Sequence, residues 1–235
     1  MAIFRHVPDR MLSIEDLQMS AKLQLRPDLL LLLSLLLVIL LNPVLDHGDW
    51  RRLLLGVLLF IPVILSTVRL SQIRVRIGPA VLLMLGALVF SVASNIFANR
   101  LLSVIHWGFL SAFFALTAVG LFSSFINSRS IGRAQLYTAV SIYLLLAYAW
   151  AALYRAMDVL YPGSFQIGAN PTDRQTDLLY FSLVTLTTVG YGDVVPLSGE
   201  ARMLAALEAV TGVLYIAITV AILVSAYRRG PSDSA

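Results

Sequence analysis

The sequence predicts an all-α membrane protein with six membrane-crossing helices and one short helix that enters the membrane and turns back. Three observations carry that expectation. Hydrophobic residues fill 59% of the 235 positions and charged residues only 13%, a membrane composition, because a water-facing surface needs far more charge. The apolar residues gather into six long runs. A seventh segment, Asp177–Thr188, is amphipathic and, at about 1.5 Å per helical residue, too short to cross. Such a re-entrant helix is tolerated only where protein surrounds it. The chain has no cysteine, so disulfides and thiolate metal sites are excluded. Its formal net charge of +4 is scattered, so the basic residues read as topology signals and no nucleic-acid partner is expected.

The elements follow in order. In residues 1–28, Ser13-Ile14-Glu15-Asp16 loosely fits a capping box. Leu12, Leu17, Met19, Leu23 and Leu25 suggest a short interfacial helix, the alternative being an unstructured tail. No cleavage pattern follows the first apolar run, which ends in Asn42-Pro43, so Leu29–Leu45 reads as a permanent span. The second span is Leu53–Val68, with a kink expected at Pro62. The third is Pro79–Ala98, the fourth Leu101–Ile126, the fifth Ala134–Met157 and the sixth Ala201–Tyr227. Asn95 and Asn99 share one face of the third, where interhelical hydrogen bonds are expected.

Lys and Arg distribute unevenly between the two sides. Eleven fall before the first span, between spans two and three, between four and five, and after six; six fall on the other side. The richer side is expected to be cytoplasmic, which puts both termini inside and the segment around residue 190 outside. Asp46, Asp49, Asp158, Asp173, Asp177, Asp193 and Glu200 then all lie outside, where they would raise the local cation concentration.

That segment, Thr187-Thr188-Val189-Gly190-Tyr191-Gly192-Asp193, is the candidate site. Backbone carbonyls can replace a cation's hydration shell only if successive ones face one axis. A strand alternates their direction, so unusual dihedrals are needed, and Gly190 and Gly192 permit them. With Asp177–Thr187 before it, Val194-Val195-Pro196 after it and Leu207-Glu208-Ala209-Val210-Thr211-Gly212 in the last span, the region 134–227 resembles the pore module of the tetrameric potassium channel superfamily. Residues 1–133 carry little of the resemblance.

The resemblance implies the following roles. The carbonyls of Thr188, Val189, Gly190 and Tyr191, with the Thr188 hydroxyl, line stacked K+ sites, and Gly192 shapes the outer mouth. Thr187 and Asp193 flank and support this filter. The Tyr191 ring points away from the pore, toward Tyr180 and Phe181. Many family members carry tryptophans at those two positions. Val184 stands where some bacterial members have a glutamate, so a carboxyl contact to Asp193 is absent, as in the voltage-gated subfamily. Thr176 is expected to cap the pore helix, whose negative C-terminal end faces the axis. Gly212 matches the inner-helix glycine where bending is thought to open the pore, with close packing as the alternative. Ile216, Val220 and Val224 form one stripe toward the conduction path. Glu208, a carboxylate inside a span, is a functional candidate behind the filter, either neutral or accepting hydrogen bonds from the pore-loop backbone, or else a water-accessible interfacial acid.

One loop per chain cannot enclose an ion, so a homotetramer is expected, with K+ as permeant ion and no other cofactor. The membrane lipid and three further copies are the expected partners, in the cell membrane. The domain reading is 1–28 N-terminal segment, 29–128 a four-helix sensor-like domain, 129–227 the pore, and 228–235 a short cytoplasmic tail. The fourth span holds no Lys or Arg, only His106, so strong voltage gating is not expected. His106 is a weak candidate for pH sensing. A weakly selective cation channel and a subunit of a potassium-uptake transporter are the alternatives; Tyr191 and the single filter copy argue against them. No catalytic pair or nucleotide loop is present, so no enzyme is expected.

Overall fold

The computed structural model describes residues 14–42, 61–68, 71, 77–128, 132–168 and 172–228. Six helices and one small antiparallel ribbon account for nearly all of them: α1 Ile14–Leu41, α2 Ile77–Phe97, α3 Arg100–Ile126, α4 Arg133–Leu160, β1 Phe165–Ile167, α5 Arg174–Leu186, β2 Val194–Pro196 and α6 Gly199–Arg228. Four of these are long and apolar enough to cross a membrane, over Gly78–Phe97, Arg100–Ile126, Arg133–Leu160 and Gly199–Ser225. They correspond to the third to sixth expected spans.

The first expected span differs. It is one helix with the segment before it, passes through Pro27 and is described as far as Leu41; among the described residues its apolar stretch, Pro27–Leu41, is shorter than a full crossing, and Leu45 lies outside them. Residues 61–68 are helical, but most of the second expected span lies outside the described residues, as do Ser13 of the expected cap, Asp46 and Asp49.

Local chemistry sets the helix boundaries. Ala98 adopts φ 46° and lets the chain reverse between α2 and α3. Asn99 then caps α3, its Oδ1 accepting from the Leu101 N–H at 2.8 Å. Asn95 instead donates to the Ser91 carbonyl of its own helix. The interhelical bonds expected of this pair are therefore replaced by a cap and a local bond. A short polar side chain beside a helix end reaches its own backbone more easily than a neighbour's. Gln135 reaches back to the Gly132 N–H at the start of α4, at 2.9 Å.

The architecture is built around α4, which packs against α1, α3, α5 and α6. Of its crossing segment 61% is buried, against 11% for α2 and 17% for α6, so α4 is the axis on which the rest is mounted. Toward the first half of the chain, Leu31, Leu35 and Val38 of α1 and Phe113, Phe114 and Leu121 of α3 enclose Ile142 and Leu145 of α4 in one apolar core. The Tyr148 hydroxyl, buried there, donates to the Leu35 carbonyl at 3.0 Å, as a buried phenol must find a partner. A second core lies at the other end of α4, where Tyr154 and Met157 meet Phe165, Leu178, Phe181, Val194 and Ala201.

The ribbon sits above this second core. Phe165 pairs with Pro196, Gln166 with Val195 and Ile167 with Val194, and the Leu197 N–H donates to the Ser164 carbonyl at 2.8 Å. It ties the loop after α4 to the segment that follows residue 193. Arg100, at the start of α3, donates to the carbonyls of Val159 and Leu160 at the end of α4. These are orphan acceptors of a helix C-terminus, which a guanidinium satisfies well. The start of α3 and the end of α4 therefore lie on the same side, in keeping with the charge pattern.

Candidate ion-conducting loop and its supporting wall

The short helix α5 is fixed first at its start. Asp173, not Thr176, is its cap, accepting from the Gln175 N–H at 3.1 Å. The helix begins three residues earlier than expected, and the Thr176 hydroxyl is free to donate to Oδ1 of Asn42, the residue after α1, at 3.2 Å. Arg174 forks onto Asp158 at the end of α4, with Nη2–Oδ1 2.7 Å and Nε–Oδ2 2.9 Å, and also donates to the Phe165 carbonyl. The bond to Asp158 holds the Arg174 guanidinium above its ordinary value, so this fork stays charged. Asp177, in the first turn, accepts from the Thr172 hydroxyl at 2.6 Å and from its N–H at 3.2 Å.

At its other end α5 runs into the loop without a break in hydrogen bonding. The Thr187 N–H and hydroxyl both donate to the Leu183 carbonyl, at 3.1 and 2.7 Å. Thr188 N–H donates to Thr185, and Val189 and Gly190 both donate to the Val184 carbonyl, at 3.0 and 3.4 Å. Val184 thus supports the loop through its backbone. Beyond this point positive φ recurs at every second residue: Thr188 at 59°, Gly190 at 56° and Gly192 at 82°. Alternating the handedness of successive residues turns neighbouring peptide groups toward a common side. Both glycines have the conformations that their lack of a Cβ allows. Thr188 was not foreseen in this role, and for a β-branched residue the conformation is strained.

The wall behind the loop is polar and tightly fitted. The Tyr143 hydroxyl of α4 donates to the Leu186 carbonyl, the last of α5, at 2.9 Å. That same carbonyl lies against Gly212 of α6: a Cβ there would sit 2.0 Å from the Leu186 oxygen. In this structure Gly212 is a close-approach glycine inside an uninterrupted helix. One turn earlier on α6, Glu208 is fully buried. Its Oε2 accepts from the Tyr154 hydroxyl of α4 at 2.5 Å, and its Oε1 is bonded to Ser182 of α5. The interfacial, water-accessible reading of Glu208 is thereby corrected, as is its contact with pore-loop backbone: its partners are two side-chain hydroxyls.

At the outer end, Tyr180 donates to Asp193 Oδ2 at 2.7 Å. That bond, aided by partial burial and nearby negative charge, pushes the Tyr180 phenol up to about 12, so it remains a donor across the physiological range. Asp193 Oδ1 accepts from the Val194 N–H at 3.1 Å. Gly168 lets the β1 end approach, since a Cβ there would be 3.0 Å from the Asp193 carbonyl.

The expected packing of Tyr191 on Tyr180 and Phe181 does not occur within one chain. Tyr191 is 73% exposed. Phe181 turns inward and packs on Tyr154 and Phe165, with ring centroids 5.2 and 5.6 Å apart. Phe181 has no polar tip, so burial in the second core suits it best, while Tyr180 keeps its hydroxyl at the loop. Ile216, Val220 and Val224 are each about half exposed on the uncovered side of α6. Tyr143, Tyr154, Ser182, Arg174 and Gly168 are site residues that sequence reasoning missed. Four tyrosines in one span (137, 143, 148 and 154) were the available signal, since a buried phenol needs an acceptor. His106 donates a ring N–H to the Ala87 carbonyl at 2.8 Å, a packed α2–α3 contact. Among the described residues no group of three or more His, Cys, Asp or Glu is placed to hold a metal ion.

Residues 139–229 match a family described as "Ion channel". The chain is 41% identical over 64 residues to two pore potassium channel c of Oryza sativa subsp. japonica, covering 26% of this chain and 14% of that protein. It is 32% identical over 85 residues to the inward rectifier potassium channel Kirbac3.1 of Paramagnetospirillum magnetotacticum (36% and 25%). It is 47% identical over 50 residues to the potassium voltage-gated channel protein shk-1 of Caenorhabditis elegans (21% and 9%). Over this region the chain is similar to potassium channels. The similarity spans a quarter or less of the length of each of these relatives. No solved structure matches the chain significantly. The region matched by the family begins inside α4 and takes in α5, the loop and all of α6. It therefore contains the supporting wall together with the loop.

Proposed function

We propose that this chain conducts K+ passively and selectively, as a homotetramer whose four 188–192 loops enclose one conduction path. The observation that carries the reading is the sequence Thr188-Val189-Gly190-Tyr191-Gly192 folded with left-handed residues at alternate positions and seated on the end of a 13-residue helix. The carbonyls of Thr188, Val189, Gly190 and Tyr191 replace the hydration shell, the Thr188 hydroxyl adds oxygens to the innermost site, and Gly192 forms the mouth. The C-terminal dipoles of four α5 helices favour a cation below the filter. In this assembly the exposed Tyr191 ring and the uncovered face of α6 meet neighbouring copies or the path itself. Gly212 then combines close packing with a hinge, and Ile216, Val220 and Val224 line the inner path and close it by dewetting.

Residues 129–227 form the pore, residues 29–128 a sensor-like scaffold, and residues 1–28 and 228–235 face the cytoplasm in a cell-membrane protein. The scaffold lacks gating charge: from Leu101 to Ile126 α3 has no Lys or Arg, and Arg100 is tied to the carbonyls that end α4.

The test is reconstitution into K+-loaded liposomes and planar bilayers. The expected results are a reversal potential that follows the K+ gradient in mixed K+ and Na+, particles with a fourfold ring, and conductance that varies weakly with voltage. Equal passage of Na+ would replace this reading with the weakly selective cation channel. Monomers without a ring would overturn it, and a steep sigmoidal conductance curve would overturn the voltage-independent part.

A further inference from the structure

The reading of 188–192 as a filter leaves unexplained why an acid should be sealed behind it. Glu208 has no exposed surface, and among the described residues no Lys, Arg or His forms an ion pair with it. A buried carboxylate without a counter-charge is costly and tends to take up a proton.

Proton counting points the same way. Three hydroxyl or carboxyl groups meet here, from three helices. The Ser182 Oγ lies 2.8 Å from the Ala147 carbonyl of α4 and is also bonded to Glu208 Oε1. Ser182 has one proton to give and cannot supply both. With Glu208 ionised, one of those two oxygen pairs holds no hydrogen. With a proton on Oε1 every oxygen is served. Glu208 Oε1–H donates to Ser182 Oγ, Ser182 donates to Ala147 O, and Tyr154 donates to Oε2 at 2.5 Å. Among the described residues the titratable groups around the carboxyl are Tyr154 and Tyr143, both of α4. From α5 the contact is Ser182, and β2 contributes no titratable residue.

We infer that Glu208 is a proton-holding positioning residue. Its neutral carboxyl links α6 to α5 through Ser182 and to α4 through Tyr154, and thereby holds the seat of the filter. Its place supports this role. One turn along α6, Gly212 receives the Leu186 carbonyl, which Tyr143 also holds. Ser182 lies one turn before Leu186 on α5. The same α6 face thus touches α5 twice, once through a proton chain and once through a close backbone approach. Loss of the proton places a charge in an unpaired site and breaks the chain at Ser182. The filter seat should then loosen.

This inference rests on the channel reading for its functional consequence, but not for the proton itself, so two measurements separate them. The first is infrared spectroscopy of the purified wild type minus Glu208→Gln. The expected result is a protonated-carboxyl carbonyl band at neutral pH that disappears at alkaline pH and shifts in Ser182→Ala. Absence of that band at neutral pH overturns the inference, whether or not the protein conducts.

The second is flux through Glu208→Gln channels. A glutamine amide donates to Ser182 and accepts from Tyr154, reproducing the neutral acid. It should keep wild-type K+ selectivity at neutral pH and retain flux at alkaline pH where the wild type loses it, whereas Glu208→Asp, one methylene short, should lose selectivity. A Glu208→Gln chain that fails to assemble, or that matches the wild type in alkaline loss, overturns the inference. If neither protein conducts K+ at all, the channel reading falls while the infrared band still decides the proton.

Discussion

The α2–α3 pair and the wall behind residues 188–192 are both helix contacts inside an apolar protein, yet they are built on opposite principles. The pair is joined by side chains that can yield: Phe90 and Phe109 lie 5.4 Å apart, Phe109 covers Gly86, and His106 supplies one ring N–H to a carbonyl. Its outer face leaves Leu82, Val89 and Ile96 largely exposed, as suits contact with lipid. The wall is joined by groups that cannot move far. Backbone carbonyls of Leu186 and Ala147 are gripped by Tyr143 and Ser182, and Gly212 meets Leu186 backbone to backbone. The difference teaches where this chain spends its polar groups. They are concentrated in the wall behind residues 188–192 and are sparse between α2 and α3.

Substitutions can break this contrast, and the same change at two glycines tests it most directly. Gly212→Ala should have the largest effect, because the new Cβ meets a fixed backbone oxygen 2.0 Å away. Overpacking there is expected to cost about 3 kcal/mol before the small gain in helix propensity. It should appear as a lower thermal midpoint of the assembly and loss of K+ selectivity. Next comes Arg174→Gln, which removes the fork onto the buried Asp158. Arg155 remains 3.3 Å from that carboxylate and Arg174 is one-third exposed, so the expected loss is about 1.5 kcal/mol. Denaturant titration of the reconstituted protein would measure it.

Tyr180→Phe removes the bond to Asp193 at a partly exposed site, so the loss should sit near the low end of about 0.5–1.5 kcal/mol. The phenol's value is raised by folding, so this contribution is complete below the ordinary phenol value and is lost as pH rises through about 12. Stability of the wild type and Tyr180→Phe should therefore differ at neutral pH and converge above that point. Gly86→Ala completes the series with the smallest effect. Its Cβ would meet the Phe109 ring at 2.4 Å, but a ring can swing aside toward lipid. The cost is expected to be about 1 kcal/mol and largely offset by alanine's helix propensity. If Gly86→Ala proved as damaging as Gly212→Ala, the contrast between yielding and fixed contacts would be lost.

Apolar run length and charge were enough to place α2, α3, α4 and α6 within a few residues, because a bilayer enforces length and composition directly. Gly190 and Gly192 could be read as positive-φ positions since no other residue tolerates those angles as well. The start of α5 was misplaced because Asp173 and Thr176 are equally good caps by composition, and only the position of Asn42 assigns Thr176 elsewhere. The partners of Tyr191 are not decided by one chain, which leaves that ring uncovered.

The sequence by itself determined long apolar helices, a segment at 188–192 that resembles a potassium filter, and a stretch from Leu101 to Ile126 without Lys or Arg. Those properties depend on composition, spacing and glycine, all of which are local. Only the tertiary structure decided that Gly212 faces the Leu186 carbonyl, that Phe181 belongs to the inner core, and that Glu208 sits between Ser182 and Tyr154. Those three facts depend on which faces of α4, α5 and α6 meet, and residues 54 and 26 positions apart in the chain become hydrogen-bond partners only when the helices are packed.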